Sequence, residues 1–360
     1  MAKAQIKYLL IFSVIFLFLY IFLAAQPIPQ ETILVTRWLT SLESGFPIVM
    51  SGSPPDERII VPFHIGNRFG FAQDNGHFIL NRVKREMNLS FSSSKWSEYE
   101  AMPSSINILD PQSTLLMTIN APRGYPFFLD EHIFILGNEQ NSISRLDTMG
   151  NISWTYDFSA PLTCIDAASG FILAGTLDGA LELLSDTGGQ IFSFEPGGSR
   201  LAVVLGCAVS KDGTRLAVIS GIDDQRFLLL EKTEDSFRVV YHEFLGDGFR
   251  RAVHLNFIDN DNKVVYEREG GLSIYDIPSR TSVTLPLEGS ILAIASGDDK
   301  YLVAITAQSG NHKRFIGIKL PDLVVFNAPF RSDNIYLGRE KSRIFLGGDR
   351  GLISFELGKK

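Results

Sequence analysis

"SGFILAGTLDGALELLSDTGGQIFSFEP", from Ser169 to Pro196, alternates short apolar runs with two turn signals. Asp178-Gly179 and Thr187-Gly188-Gly189 carry turn chemistry, because Asp bonds its own backbone and Gly adopts positive φ without a Cβ clash. The stretch therefore reads as strand, turn, strand, turn, strand. "EHIFILGNEQNSISRLDTMGNISWTYDF" (Glu131 to Phe158) follows the same plan, as do Asn67 to Val83, Lys263 to Leu287 and Ser342 to Leu357. The second strands of these units begin near Gly76, Asn141, Gly179, Gln225, Gly271, Lys313 and Gly351.

After the first interval these starts recur about every 40 residues, the period of four-stranded propeller blades. Seven starts predict an all-β fold, a seven-bladed β-propeller spanning residues 46–360. The first interval is longer by roughly 25 residues than that repeat allows. "MNLSFSSSKWSEYEAMPSSINILDP" (Met87 to Pro111) fills it as an insertion in the first blade. The alternative is an irregular eighth blade, since Ile106 to Ile119 also resembles a pair of strands. The Asp and Gly of each unit are expected in the hairpin between third and fourth strands. Trp154 then falls on an outer strand, where a large flat ring fills the gap between neighbouring blades. The last unit stops at Lys360 soon after its third strand, so its fourth strand must come from elsewhere. "GFPIVMSG" (Gly45 to Gly52) is the candidate, and closure by it leaves no open sheet edge.

"LDTMGNISW" (Leu146 to Trp154) resembles the repeat of the pyrroloquinoline-quinone-type propellers. "VSKDGTRLAVIS" (Val209 to Ser220), echoed by "ASGDDKYLVAITA" (Ala295 to Ala307), resembles the blades of WD40-like propellers. The resemblance covers most of residues 46–360 and implies the propeller fold. It also implies an envelope-assembly role in a bacterium, since some quinone-type propellers are protein platforms without a cofactor.

The N-terminus, "MAKAQIKYLLIFSVIFLFLYIFLAA", sets Lys3 and Lys7 before an uncharged stretch from Tyr8 to Ala25. That order fits a transmembrane anchor or a signal segment, with residues 1–7 cytoplasmic and the remainder carried outside the cytoplasm. In a bacterium the expected place is the periplasmic face of the inner membrane, or the periplasm if the segment is cleaved. Residues 26–45 form a linker, and Glu31 to Ser44 has partial helical spacing that suggests a short helix.

A net charge of −7 argues against nucleic acid as a partner, because phosphate binding needs a concentrated basic surface. The densest basic spots are Arg82 to Glu86 and Arg250-Arg251. Only Cys164 and Cys207 are present, both in apolar contexts; two buried unpaired thiols are expected, the alternative being a pair formed in an oxidising compartment, which sequence position does not decide. Hydrolase, Walker-type and paired-cysteine motifs are missing, and the six histidines are scattered over different units. No metal or cofactor is expected from these spacings. Asp259 and Asp261 in "FIDNDNKVV" alternate as calcium-loop ligands do, but the Gly and distal Glu of such a loop are lacking, so a polar hairpin is expected. "HEFLGDGFRR" (His242 to Arg251) gathers acidic, aromatic and basic residues in one connection between blades. Asp247, Phe249, Arg250 and Arg251 are therefore the candidate partner-binding patch. The expectation is a non-enzymatic scaffold that binds a protein or envelope component. The alternatives are a propeller enzyme with an axial site, such as a quinone-dependent dehydrogenase or a lyase, and a small-ligand sensor.

Overall fold

A computed structural model of the chain describes residues 2–24, 32–50, 54–56, 58–129, 132–234, 236–246, 248–297 and 299–359. The chain divides into two compact units, Met1–Leu34 with Leu357–Lys360, and Val35–Glu356. The first contains a helix, Ala2–Ala24. Among the described residues no helix is long and apolar enough to cross a membrane, which corrects the transmembrane helix expected from Tyr8 to Ala25. Ala25 itself lies outside the described residues.

The second unit is built of antiparallel sheets, one per blade, and they number eight. Expected turns become hairpins: Asp147 to Gly150 joins the third and fourth strands of blade three. Asp178-Gly179, in contrast, joins the second and third strands of blade four, so the Asp-Gly signal marks more than one hairpin of a blade. Blades three to seven cover residues 124–157, 162–194, 204–244, 255–286 and 290–331, each with four strands. Blade one, residues 60–83, has three.

The seven-blade expectation is corrected at residues 88–120. Asn88–Phe91, Trp96–Tyr99, Ser105–Leu109 and Leu115–Asn120 form a sheet of their own, blade two, and are not an insertion in blade one. The blade escaped the repeat count for a local reason. Its two central strands pair at a single position, Trp96 with Leu109, and the connection between them, residues 100–104, has no Asp-Gly turn.

Closure does use the N-terminal side of the unit, but with a different strand. The eighth sheet runs Pro47–Val49, Thr32–Ser41, Gly351–Lys359, Arg343–Gly348, Ile335–Glu340. Thr32–Ser41, for which helical spacing suggested a helix, is therefore the closing fourth strand. Pro47–Val49, from the segment expected to close the ring, is a fifth strand paired to its outside. The physical reason lies in composition: Thr32, Ile33, Val35 and Thr36 are β-branched and the stretch sits beside a sheet edge that offers backbone partners, which outweighs a partial helical pattern.

The apolar core lies between blades. Each cluster straddles two neighbours: Phe134 and Ile143 of blade three meet Ile172 and Leu184 of blade four, and Phe227 and Leu229 of blade five meet Val264 and Tyr266 of blade six. A single sheet with two apolar faces can bury them only by stacking, so the repeat is what makes the core. Trp154 behaves as its position foretold. Its indole N–H donates to the Asp186 carbonyl of blade four at 2.9 Å, and its ring meets Phe134 edge-on at 6.0 Å.

Trp38 makes the same contact at the ring closure, donating to the Asp74 carbonyl of blade one at 2.6 Å. Around it lies an ion network. The Asp74 carboxylate accepts from Arg37 at 2.9 and 3.0 Å, from Arg343 at 3.2 Å and from the Asp56 backbone N–H at 2.9 Å. Arg343 also pairs with Glu356 at 2.9 Å. Arg37 and Glu356 lie on two strands of blade eight, Arg343 on a third, and Asp74 on blade one, so these charges fasten the first blade to the last.

Candidate partner-binding site

The expected patch lies in the connection from blade five to blade six, between Phe244 and Leu255. Asp247 lies outside the described residues. Phe249 is held from below by Gln225, a side chain only 1% exposed. Gln225 Oε1 accepts the Phe249 N–H at 3.2 Å, and its Nε2 donates to the Phe249 carbonyl at 3.2 Å and to Gly221 at 3.1 Å. A buried amide whose donors and acceptor are satisfied by loop backbone fixes the path of that loop.

Arg251 has a structural task. Its guanidinium stands 4.5 Å over the Phe249 ring and donates to the Glu267 carboxylate at 2.5 and 3.0 Å. Glu267 is 2% exposed, so this is a buried carboxylate with a half-exposed partner. The same carboxylate accepts the His254 N–H at 3.4 Å, and burial pushes the His254 imidazole below its ordinary pKa. Arg250 differs from its neighbour: it is exposed and, among the described residues, has no ion-pair partner.

Two loops that the sequence did not single out complete this surface. Residues 221–225, the hairpin between the second and third strands of blade five, supply Gln225. Residues 195–203, the connection from blade four, reach the same place. Ser199 donates to Asp223, and Arg200 pairs with Asp223 at 3.3 Å while 93% of its side chain stays exposed. The Ser199 hydroxyl, first among several donors, holds the Asp223 carboxyl well below the usual carboxylate range. Leu201 stands exposed beside this pair. The result is a polar surface on a rigid base, with Arg200, Leu201 and Arg250 exposed on it and Phe249 partly covered by Arg251. The signal that would have found it is the second Gly-rich connection, "EPGGSRL".

The other candidate sites resolve into structure. Asp259, Asn260 and Asp261 form the turn between the first two strands of blade six, each with positive φ. Lys263 binds Asp259 at 2.9 Å, and the Lys211 N–H donates to Asp261 at 2.7 Å, so both carboxylates are engaged by the protein's own donors. Among the described residues, no three His, Cys, Asp or Glu gather as metal ligands. Of the other basic spot, Arg82 lies 5.2 Å over the Trp96 ring.

The two arginines make a testable contrast. Arg251→Ala leaves Glu267 buried without its partner and is expected to lower stability by about 3 kcal/mol. Arg250→Ala is expected to change it by less than about 0.5 kcal/mol. Denaturant unfolding of both variants checks this; equal losses would show that Arg250 is structural as well.

A family model described as "beta-propeller protein" matches residues 1–359. An uncharacterized protein of Treponema pallidum (strain Nichols) is 24% identical over 364 residues, covering 99% of this chain and 95% of the relative. Among solved structures, BamB from Moraxella catarrhalis aligns with a TM-score of 0.55 and 11% identity, over 84% of this chain and 100% of that one. The computationally designed Ika8 protein aligns with a TM-score of 0.62 and 14% identity, over 90% and 96%. At these identities the solved structures speak for the fold alone. The blades, the closure and the full-length family match agree: the chain belongs to the beta-propeller protein family.

Proposed function

We infer that the protein is a non-enzymatic scaffold that works outside the cytoplasm and binds a protein or envelope component through the face around blade five. The observation that carries this reading is the Gln225 clamp. It spends a buried side chain on holding the Phe249 backbone, so that Arg250 is presented on a fixed loop, exposed and without an ion-pair partner among the described residues. Arg200 and Leu201 extend the same surface with a second exposed cation and an exposed apolar side chain. Loops fixed on a rigid scaffold are a common form of binding surface, and Arg is favoured in such contacts. Lys3 and Lys7 ahead of an uncharged run support the location.

The test is affinity capture from native-host membranes with the tagged full-length protein and with Arg200→Glu/Arg250→Glu. The expected result is a partner retained by the parent and lost by the variant at unchanged melting temperature. A variant that keeps the partner overturns the assigned face. Absence of any partner, with a quinone or metal co-purifying by mass spectrometry, overturns the scaffold in favour of an enzyme.

A further inference from the structure

The innermost strands of blades four and five, Leu162–Ala168 and Val204–Val209, lie side by side and are bonded across the blade boundary at two places. At one end the Thr163 hydroxyl donates to the Val204 carbonyl. At the other the Val209 N–H donates to the Asp166 carboxylate at 2.9 Å. Between these bonds stand the two cysteines, Cys164 on one strand and Cys207 on the other. Both thiols are free, and both belong to one apolar cluster, Cys207 within it and Cys164 packed against it. Cys207 also reaches the Leu173 carbonyl at 3.6 Å. The bonds on either side hold the strands in register, so the two cysteines are kept on adjacent strands and closure needs no search by the chain.

We propose that Cys164 and Cys207 are a redox site that closes to a disulfide joining blades four and five. The oxidant is an external disulfide. Cys164, the more accessible of the two, attacks it as thiolate and takes one half as a mixed disulfide, releasing the other half as a thiol. Cys207 then gives up its proton and attacks the Cys164 sulfur, and the second half leaves. Two protein thiols are oxidised to one disulfide, and one external disulfide is reduced to two thiols. The order of attack follows from the surroundings: the neighbouring Cys164 sulfur, which favours the protonated Cys207 thiol, and then burial hold Cys207 well above its ordinary pKa. Exchange of this kind depends on the two strands alone and is independent of the scaffold reading.

The test uses the full chain, reduced, then incubated with oxidised glutathione at neutral pH, quenched with N-ethylmaleimide and measured by intact mass and peptide mapping. The expected product is lighter by two hydrogens, takes up no alkylating reagent and yields a Cys164–Cys207 linked peptide. Cys207→Ala is expected to stop at a glutathione adduct on Cys164. Two thiols that stay alkylatable in the native chain, while unfolded chain oxidises, would overturn the proposal. So would a stable glutathione adduct in the parent without closure. The parent measurement stands whether or not the variant folds.

Discussion

Asp74→Asn is expected to lower stability by about 3–5 kcal/mol, because it removes the more deeply buried of the two carboxylates that Arg37 and Arg343 share. The Arg37, Asp74 and Arg343 side chains are 4%, 0% and 8% exposed, so water cannot take the place of the lost charge. Asparagine keeps the volume and hydrogen-bonding capacity but removes the buried charge that both guanidiniums face, while their contacts with Glu356 remain. For a domain of this size the loss corresponds to a fall in melting temperature of roughly 10 °C. Because buried pairs are little screened, the same fall is expected at 0.5 M salt as at low salt, where a surface pair would lose its effect above about 0.1 M. A variant within about 1 kcal/mol of the parent would show that the ring is closed by the apolar contacts of Trp38 and by strand pairing, without help from the charges.

Trp154→Ala is expected to cost about 3 kcal/mol, toward the low end for a large aromatic because the ring is only partly buried. Its partner surface makes the prediction more specific. Gly188 has φ 82°, and a Cβ added there would lie 2.5 Å from Trp154 Cδ2. Gly188→Ala therefore carries two penalties, left-handed strain of about 1 kcal/mol and a clash with the indole. Removing the indole relieves the clash and leaves the strain. In the double variant the alanine at 188 should cost only about 1 kcal/mol, so the two changes are less than additive. Additive losses in urea unfolding would mean that the Trp154 ring does not seat on this turn.

Much of the fold is written locally. Asp178-Gly179, Asp147 to Gly150 and Thr187 to Gly189 each specify a hairpin within a few residues, and the apolar runs beside them specify strands. Blade two was legible only as an alternative, because its central connection lacks that chemistry and its central strands pair weakly. The candidate patch was legible as an unusual connection, but its parts were not separable. Arg250 and Arg251 are neighbours of identical type. What divides them is Glu267, which comes from a strand of the next blade, and Gln225, from a hairpin of the same blade.

By itself, then, the sequence determined the repeat, the strand-and-turn grammar, the propeller class and the place of Trp154 between blades, since each rests on backbone preferences that act over a few residues. Tertiary structure alone decided the count of eight and the choice of Thr32–Ser41 as the closing strand. It also decided the burial of Arg37, Asp74 and Arg343 as one network and the placing of Cys164 and Cys207 on adjacent strands of neighbouring blades. These depend on which sheet edge and which opposite charge or thiol the closed ring brings within reach, and such energies are set by contacts between residues far apart in the chain.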